Sequence, residues 1–416
     1  MGLVPLAEAR RHVLERCPPL APISMPVGDA LGCVTAAAVV CEERVPPFDN
    51  SAMDGFALRA ADVTGAGPAS PVVLRVVGTL HAGSSPDLAV GEGEAVRIMT
   101  GAPLPAGADA VVMVESTTEL DRGGAVEVRE AVPPGRNVRP AGDDLRPGEV
   151  VIEAGVEITP ARVGVLATLG RETVEVHPRP RVGVLSTGDE LVDGPGALGP
   201  GQIRDSNRPM LLALVRASGF APVDLGRVPD DLGAIRAVLG SASRACDAVI
   251  TSGGVSMGQA DLVKVVLDEA GELRWMQVAI KPAKPFAFGT LARGGSGGVR
   301  VPVFGLPGNP VSSVVSFELL ARPALRRMAG FPADQLDRPR VVAVADAPLP
   351  RRPDGKVHFV RVVCRYGEDG AYHVRSAGGQ GSHQLGSLTG ANALAVLPDG
   401  DGADSGDTVE VILLQP

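Results

Sequence analysis

The sequence predicts a multidomain α/β and β fold built around a central doubly wound α/β domain. Three observations predict it: strand and helix patterns alternate between residues 180 and 330, short β-branched runs separated by turns flank that region, and 416 residues with 45% hydrophobic side chains suffice for several cores. We expect four domains: a helical linker domain of residues 1–44 and 145–178, a small β domain of residues 45–144, the α/β domain of residues 179–330, and a C-terminal β-barrel or sandwich of residues 331–416.

Spacing and turn residues predict the N-terminal elements. Apolar side chains recur at helical spacing over residues 5–17, which predicts a first helix. Runs of β-branched residues at 71–77 and 110–114 predict strands of a small β domain. Thr159 and Pro160 are residue types that begin helices, so a second helix is expected to run from there to residue 169.

The central region alternates buried strands with helices. The predicted strands cover residues 182–186, 248–251, 278–280 and 301–304, and the predicted helices begin after Asp205, at Asp231, at Asp261 and at Val311. Such alternation predicts a parallel sheet whose ligands bind beyond the carboxyl ends of the strands. Residues 337–416 return to strand patterning, which predicts the C-terminal β domain.

Composition and charge exclude several classes of function. A net charge of −9 with dispersed acidic residues disfavours binding to nucleic acid or to anionic membranes. The five cysteines include no CxxC pair and the six histidines have no metal-ligand spacing, so we expect no disulfide frame and no transition-metal site. No segment has the pattern of a signal peptide or a membrane span, and a cytoplasmic protein is therefore expected.

Two glycine-rich loops at neighbouring strand ends are candidate phosphate sites. Such loops expose backbone N–H groups to an anion at the start of a helix, although a single loop of this kind could be a turn that topology alone requires. Two of them suit a ligand with more than one phosphate. The candidate binding residues are Ser252, Gly253, Gly254, Ser256 and Gly258 in the first loop, and Gly308, Asn309, Pro310 and Ser312 in the second.

Carboxylates accompany these loops. Asp189, Glu190, Asp205 and Asp261 would repel a phosphate unless Mg²⁺ lay between them, so they suit metal binding or proton transfer. Asp205 alone is better explained as the N-cap of the following helix.

Two lysines lie between the loops. The chain has four lysines among 39 basic residues, and Lys281 and Lys284 occur together in a segment that prolines stiffen. Two ammonium groups close together suit the binding of an anion. The alternative is that the segment is a solvent-exposed turn with no ligand. In the N-terminal half, residues 46–56 and 97–105 are turn-rich segments with reactive side chains and two methionines.

The chain resembles the molybdopterin molybdenumtransferases, the bacterial relatives of the gephyrin E domain, over nearly its whole length. The sequence motifs on which the resemblance rests are, in chain order, SAMDGFA, RIMTGAPLPAGADAVV, STGDEL, SGGVSMG, IKPAKPFAFG, LPGNPVSS and GGQGSH. The resemblance implies an elongated homodimer whose cleft combines the α/β domain of one subunit with the small β domain of the other. It also implies adenylylated molybdopterin and molybdate as substrates, Mg²⁺ as cofactor, coordination of the metal by the pterin dithiolene, and release of AMP.

The resemblance also implies roles for individual residues. The acidic and polar site positions of the family fall on Asp54, Thr100, Asp144, Glu190, Asp230 and Asp261, and Asp261 and Glu190 are the candidate Mg²⁺ ligands. The molybdate pocket falls on Lys281, Lys284, Pro285, Arg361 and Ser382. This sequence departs from the family pattern at Gln277, where relatives often carry a lysine, and at Ala283, where glycine is usual.

Two other functions remain open from the sequence. The α/β domain by itself also resembles molybdopterin adenylyltransferase, although the additional β domains disfavour that activity. The alternative from a different functional class is a non-catalytic scaffold or molybdate carrier. The many reactive groups at the strand ends disfavour this alternative. A molybdopterin adenylyltransferase and molybdoenzymes that accept the cofactor are candidate partners.

Overall fold

The computed structural model describes residues 2–253, 262–269, 273–295 and 298–414. The chain divides into two compact units, and each is described by itself below. The larger unit contains Met1–Ala36, Gly155–Thr159 and Val174–Pro416, and the smaller contains Ala37–Ala154 and Pro160–Thr173. Within the described ranges, no helix has the length and apolar character needed to cross a bilayer.

The larger unit begins with a helix and two short strands. These are α1 (Leu6–Glu15), β1 (Ile23–Pro26) and β2 (Val34–Thr35). The helix lies where the sequence predicts it, and Ala9 and Val13 are buried as helical spacing requires. Both side chains join the core that covers one face of the central sheet.

The smaller unit is built on a six-stranded sheet. Its elements are β3 (Val39–Val40), β4 (Asn50–Ser51), β5 (Gly55–Leu58), β6 (Val72–Leu80), β7 (Glu94–Ile98), β8 (Ala110–Met113), β9 (Thr117–Leu120), β10 (Ala125–Val128), β11 (Val138–Arg139), β12 (Val150–Ile152) and α2 (Pro160–Thr168). The strand order is β8-β5-β7-β6-β10-β9. Phe56 and Leu58 enter one core and Ala57 enters another, so both faces of the sheet are covered.

The α/β domain of the larger unit has a six-stranded sheet in the order β17-β14-β18-β22-β21-β19. Strands β17, β14, β18 and β22 are mutually parallel. The elements from the end of the linker onward are β13 (Thr173–His177), β14 (Arg181–Thr187), β15 (Leu191–Val192), β16 (Ile203–Arg204), α3 (Asn207–Ala217), β17 (Ala221–Val228), α4 (Leu232–Ala245), β18 (Ala248–Ser252), α5 (Leu262–Glu269), β19 (Leu273–Gln277), β20 (Ile280–Lys281), β21 (Pro285–Ala292), β22 (Arg300–Leu306), α6 (Pro310–Ser316) and α7 (Arg322–Met328).

Helices cover both faces of this sheet, as a doubly wound fold requires. Leu211 of α3 packs with α1 and α6 side chains in the core on one face. Ile235 of α4 and Val266 of α5 pack in the core on the other face. The alternation of strand and helix in the sequence therefore predicts the layering correctly.

Two details differ from the sequence prediction. The apolar run expected as one strand at residues 278–280 is divided: Val278 forms a single bridge with Val4, and Ile280 begins β20, which pairs with Val357 and His358 of the C-terminal domain and not with the central sheet. Strands β19 and β21 on either side of this segment pair antiparallel, so the sheet is mixed. The Val278 amide donates to the Lys284 carbonyl at 2.7 Å and closes the connection between them. The helix expected from Val311 to residue 328 contains one π-helical segment, Phe317–Ala321, between α6 and α7.

The C-terminal domain is a small closed barrel. Its strands are β23 (Arg340–Ala345), β24 (Leu349–Pro350), β25 (Val357–Tyr366), β26 (Tyr372–Ser376), β27 (Ala393–Leu397), β28 (Gly402–Ala403) and β29 (Thr408–Leu413). The order β25-β26-β23-β29-β27 returns to β25, which closes the ring. The short strand β20 of the α/β domain also pairs with β25, so the lysine segment is joined to the barrel.

Candidate functional site

Three parallel strands end at one edge of the central sheet, and each is followed by a predicted site segment. Strand β14 leads to Asp189 and Glu190, β18 ends at Ser252, and β22 leads to the loop that contains Gly308 and Asn309. Because β18 lies between β14 and β22, the three segments are neighbours. This edge is the position where open α/β sheets bind ligands.

The first glycine loop is described only at its beginning. Ser252 is buried, and the Gly253 amide donates to the Leu306 carbonyl at 3.2 Å, which ties this loop to the end of β22. Gly253 has a φ of +90°, a conformation that favours glycine. The other predicted residues, Gly254, Ser256, Gly258 and Asp261, lie outside the described residues.

The second glycine loop contacts the C-terminal barrel. Pro310 occupies the first turn of α6 and Ser312 is buried beneath it. The Asn309 Nδ2 group donates to the Ser382 hydroxyl at 3.1 Å, and the Val311 amide donates to the Ser382 carbonyl at 3.1 Å. Asn309 and Ser382 come from separately predicted segments, and the fold brings them together.

A group of carboxylates adjoins the first strand end. The Asp230 amide donates to Asp189 Oδ1 at 3.2 Å, which places residue 230 beside the segment after β14. Desolvation, then the negative charges of Asp189 and Glu190, raise the pKa of Asp230. Within the described ranges, no set of three or more His, Cys, Asp or Glu side chains has an arrangement that could hold a metal ion.

Asp205 has the capping role that the sequence favours. Its Oδ1 atom accepts from the Arg208 amide at 3.1 Å at the start of α3. Its Oδ2 atom accepts from the Ser186 hydroxyl and from Arg208 Nε. Asp205 thus joins the end of β14 to the beginning of α3.

Asn207 is a site residue that the sequence analysis missed. Its side chain is buried at the first position of α3, and its Nδ2 group donates to the Ser252 hydroxyl at 2.7 Å and to the Gly308 carbonyl at 2.6 Å. The sequence feature that could have indicated it is an asparagine two positions after a helix-capping aspartate, in the segment that follows the first predicted strand. Asn207 therefore connects the two glycine loops.

Lys281 and Lys284 are exposed, one on β20 and the other just before β21. In the part of the chain that the structure describes, neither ammonium forms a salt bridge. Pro285 follows as the first residue of β21. An exposed ammonium group without a counter-ion among the described residues suits an anion.

Lys281 also lines a cavity of about 490 Å³ against the barrel. His358, which faces Lys281 across the β20–β25 pairing, and Gln380 line the same cavity. Burial chiefly lowers the pKa of His358, and the charge of Lys281 adds to this effect. The cavity lining contains neither Lys284 nor Arg361, so the five residues of the predicted molybdate pocket do not all face this one space.

Arg361 is completely buried in the barrel. Its Nε atom donates to the Ser387 hydroxyl at 2.7 Å, and its Nη2 atom donates to the carbonyls of Gly379 and Gly381. Burial lowers the pKa of Arg361, and Nη1 has no hydrogen-bond partner among the described residues. The guanidinium thus fixes the loop that carries Ser382.

The predicted residues of the smaller unit include one tightly bonded pair. Asp54 Oδ1 accepts from the amide and from the hydroxyl of Thr100, both at 2.7 Å. These two hydrogen bonds lower the pKa of Asp54, so its carboxylate stays charged. Asp144 is exposed, and its amide donates to the Val45 carbonyl at 3.0 Å.

All five cysteines fall within the described ranges and all are buried as free thiols. Burial raises the pKa of Cys17 to about 12. It also raises the pKa values of Cys33, Cys246 and Cys364. Buried thiols of this kind behave as small apolar side chains.

Three sequence profiles match successive parts of the chain. The profile described as "MoeA N-terminal region (domain I and II)" matches residues 4–170. The profile "Probable molybdopterin binding domain" matches residues 183–327. The profile "MoeA C-terminal region (domain IV)" matches residues 343–414.

Relatives that match nearly the whole chain, and solved structures, belong to the same family as the profiles. The molybdopterin molybdenumtransferase of Haemophilus influenzae is 37% identical over 411 residues, which cover 98% of both chains. Molybdopterin molybdenumtransferase 2 of Mycobacterium tuberculosis is 40% identical over 412 residues, 97% of this chain and 96% of that one. The crystal structure of the molybdopterin biosynthesis moeA protein from Pyrococcus horikoshii OT3 matches 99% of this chain and 100% of its own, with a TM-score of 0.79 and 31% identity.

Proposed function

Because the chain belongs to the molybdopterin molybdenumtransferase family, we propose that it inserts molybdate into adenylylated molybdopterin and releases AMP. The protein is thereby a transferase of molybdenum cofactor biosynthesis. The observation that carries the proposed reaction is the contact between the second glycine loop and the barrel, where Asn309 donates to Ser382. This contact joins the candidate phosphate loops to the domain that carries Arg361.

The two glycine loops would bind the phosphates. Both begin at the carboxyl ends of parallel strands. The hydrogen bond from the Gly253 amide to the Leu306 carbonyl holds them side by side. The second loop leads directly into α6, so the helix start adds partial positive charge there. Pro310 has no N–H and the Val311 amide already donates to Ser382, so the helix start would act on the anion through its charge and not through these two positions. Adjacent loops of this kind suit a phosphoanhydride, which carries two linked phosphates.

We propose Mg²⁺ as the cofactor at the carboxylates after β14 and β17. The donor set fits because desolvation, and then the negative charges of Asp189 and Glu190, raise the pKa of Asp230, and a cation would relieve the repulsion between these carboxylates. Mg²⁺ commonly uses one or two carboxylates, waters and substrate phosphates, so a complete protein cage is not required. Glu190 and Asp230 would hold it together with Asp261. Bound there, Mg²⁺ would offset negative charge on the phosphoanhydride.

The side chains and loops of the protein would position both substrates and supply positive charge to the molybdate. The loops would hold the AMP and pterin sides of the phosphoanhydride, and Lys281 and Lys284 would bind the molybdate dianion beside them. Arg361 would act on Ser382 by fixing its loop through Gly379 and Gly381. Holding both substrates in one geometry lowers the entropic part of the activation barrier.

The test is direct. Purified protein is incubated with adenylylated molybdopterin, molybdate and Mg²⁺, and AMP is measured. We expect AMP release that requires molybdate. ATP turnover on metal-free molybdopterin, without AMP release from the adenylylated substrate, would instead identify an adenylyltransferase. Binding of both substrates without either reaction would identify a carrier.

The lysine assignment gives a specific prediction. Lys281→Ala or Lys284→Ala should raise the molybdate concentration for half-maximal AMP release by roughly tenfold, because a charge-assisted contact is lost. Binding of adenylylated molybdopterin, measured by calorimetry, should change little. Lys356→Ala is the matched control, since Lys356 pairs with Asp354 instead. Loss of nucleotide binding with an unchanged molybdate response would assign the lysines to the phosphates.

We also propose that the protein assembles as a homodimer and passes its product to molybdoenzymes. The reactive pair Asp54 and Thr100 belongs to the smaller unit, whereas the phosphate loops belong to the larger. A dimer in which each site takes the pair from the other subunit would use both groups.

A further inference from the structure

We propose that Asn207 is a positioning residue that holds the two glycine loops at a fixed separation and turns the Ser252 hydroxyl toward the phosphates. The inference rests on the proposed function, because it assumes that these loops bind the phosphate groups. It assigns a role to a side chain that lies outside the loops themselves. Its basis is the pair of hydrogen bonds from Asn207 Nδ2 to Ser252 and to Gly308.

The orientation of the Asn207 amide follows from its contacts. The Gly308 carbonyl can only accept a hydrogen bond, so the atom 2.6 Å from it must be the nitrogen. That nitrogen has two hydrogens, and the second is directed at the Ser252 oxygen 2.7 Å away. Asn207 therefore uses both donors, one for each loop.

This arrangement sets the direction of the Ser252 hydroxyl. The Ser252 oxygen accepts a hydrogen bond from Asn207, so its own hydrogen must point elsewhere. Among the described residues, Ser252 Oγ donates to none. A hydroxyl whose oxygen is occupied in this way is prepared to donate to an anion. The contact thus occupies one lone pair of the oxygen and leaves the hydroxyl hydrogen for another acceptor.

Burial makes the bridge rigid. Asn207 is 8% exposed and Ser252 is 2% exposed, so water competes poorly for these hydrogen bonds. The Asp205 cap fixes the preceding turn of α3 through Arg208 and Ser186. The beginning of α3 is therefore linked to all three strand-end segments, and Asn207 is the link to the two glycine loops.

The isosteric variant Asn207→Asp tests the bridge. A carboxylate cannot donate to the Gly308 carbonyl, and it would accept the Ser252 hydrogen that we assign to the phosphate. We expect the dissociation constant for AMP, measured by calorimetry on the full-length protein, to rise about tenfold or more. In the AMP-release assay, KM for adenylylated molybdopterin should rise while half-saturation by molybdate is unchanged.

A double-mutant cycle tests the route through Ser252. If Asn207 acts on the hydroxyl, the effect of Asn207→Asp on AMP binding should be clearly smaller in a Ser252→Ala background. An equal effect in both backgrounds would refute the orientation of the hydroxyl. Asn207→Ser, which retains one donor and adds no charge, should give an intermediate loss and serves if the aspartate variant does not fold.

Asn392→Asp is the matched control for a lost amide bridge. Asn392 bridges within the barrel, donating to the Cys364 carbonyl at 2.8 Å and accepting from its amide at 2.7 Å. This variant should lower the melting temperature without changing AMP affinity. If Asn207→Asp behaves in the same way, Asn207 is merely structural and the inference is wrong. If the unaltered protein fails to bind AMP, the phosphate assignment in the proposed function fails instead.

Discussion

At the scale of single residues, Ala283 is the most constrained position near the site. It lies between Lys281 and Lys284 with a φ of +78°, in the left-handed region that disfavours residues with a Cβ atom. Its methyl group is buried, with 3% of the residue exposed. The family pattern places glycine there, and the backbone conformation explains that preference. The strained turn fixes the spacing of the two ammonium groups.

We predict that Ala283→Gly leaves stability nearly unchanged. Relief of the strain of the left-handed backbone should stabilise the folded protein by about 1–2 kcal/mol. Loss of the buried methyl group and the greater conformational freedom of glycine in the unfolded chain should each destabilise it by about 0.5–1 kcal/mol, so the two effects offset the gain. Ala287→Gly, at an equally buried position of strand β21, has no strain to relieve and should lose about 1.5 kcal/mol. Denaturant unfolding compares the two variants. Equal losses would contradict the account of strain at residue 283.

At the scale of elements, the backbone at the two glycine loops imposes different requirements. A Cβ atom at Gly253 would lie 2.8 Å from the Thr187 carbonyl oxygen, and the residue also has a positive φ. Among the described residues, a Cβ atom at Gly308 would meet only the Gly253 Cα atom, at an ordinary 3.8 Å. Gly253 therefore satisfies a close approach between β18 and β14, whereas Gly308 is not required by packing.

We predict that Gly253→Ala destabilises the fold by roughly 1–3 kcal/mol, through strain and the clash with β14. Gly308→Ala should cost less than about 0.5 kcal/mol, since a substitution away from strain has little effect. Thermal unfolding of the two variants, with the unaltered protein as reference, provides the comparison. A larger loss at Gly308 would show that the second loop is the more constrained of the two.

The sequence predicts the central elements well because local signals determine them. Asp231 caps α4 and Pro160 begins α2, as their residue types indicate. The division of residues 278–281 between a single bridge and β20 could not be predicted, because the apolar run resembles one strand and only its pairing with residues distant in sequence distinguishes the two. Asn207 was missed for the same reason, since its function comes from two loops distant in sequence.

At the scale of the whole molecule, the proposed residues occur in two units of the chain. Asp54 and Thr100 belong to the smaller unit, and Lys281 and the glycine loops belong to the larger. The proposed homodimer would complete each site with groups from both subunits. This arrangement has a consequence that can be measured without a structure of the dimer.

Two impaired variants should therefore complement each other when molybdate is limiting. We predict that Asp54→Asn and Lys281→Ala, assayed at a molybdate concentration far below half-saturation of Lys281→Ala and mixed under conditions that allow subunit exchange, reach about a quarter of the normal activity, because half of the dimers then carry one intact site. Lys281→Ala mixed with Lys284→Ala should show no gain over the unmixed variants, since both changes fall in the same unit. Light scattering establishes the dimer beforehand. An active monomer, or no recovery despite exchange, would refute the shared site.

The burial of all five cysteines has a consequence for the sulfur chemistry of the product. A dithiolene presents two adjacent thiolates, which exchange with an accessible disulfide and, when an oxidant is present, can be joined to an accessible thiol. Here the protein thiols are enclosed, and burial raises the pKa of Cys17 to about 12. In the proposed reaction, the pterin sulfurs would therefore meet no exposed protein thiol to which oxidation could join them.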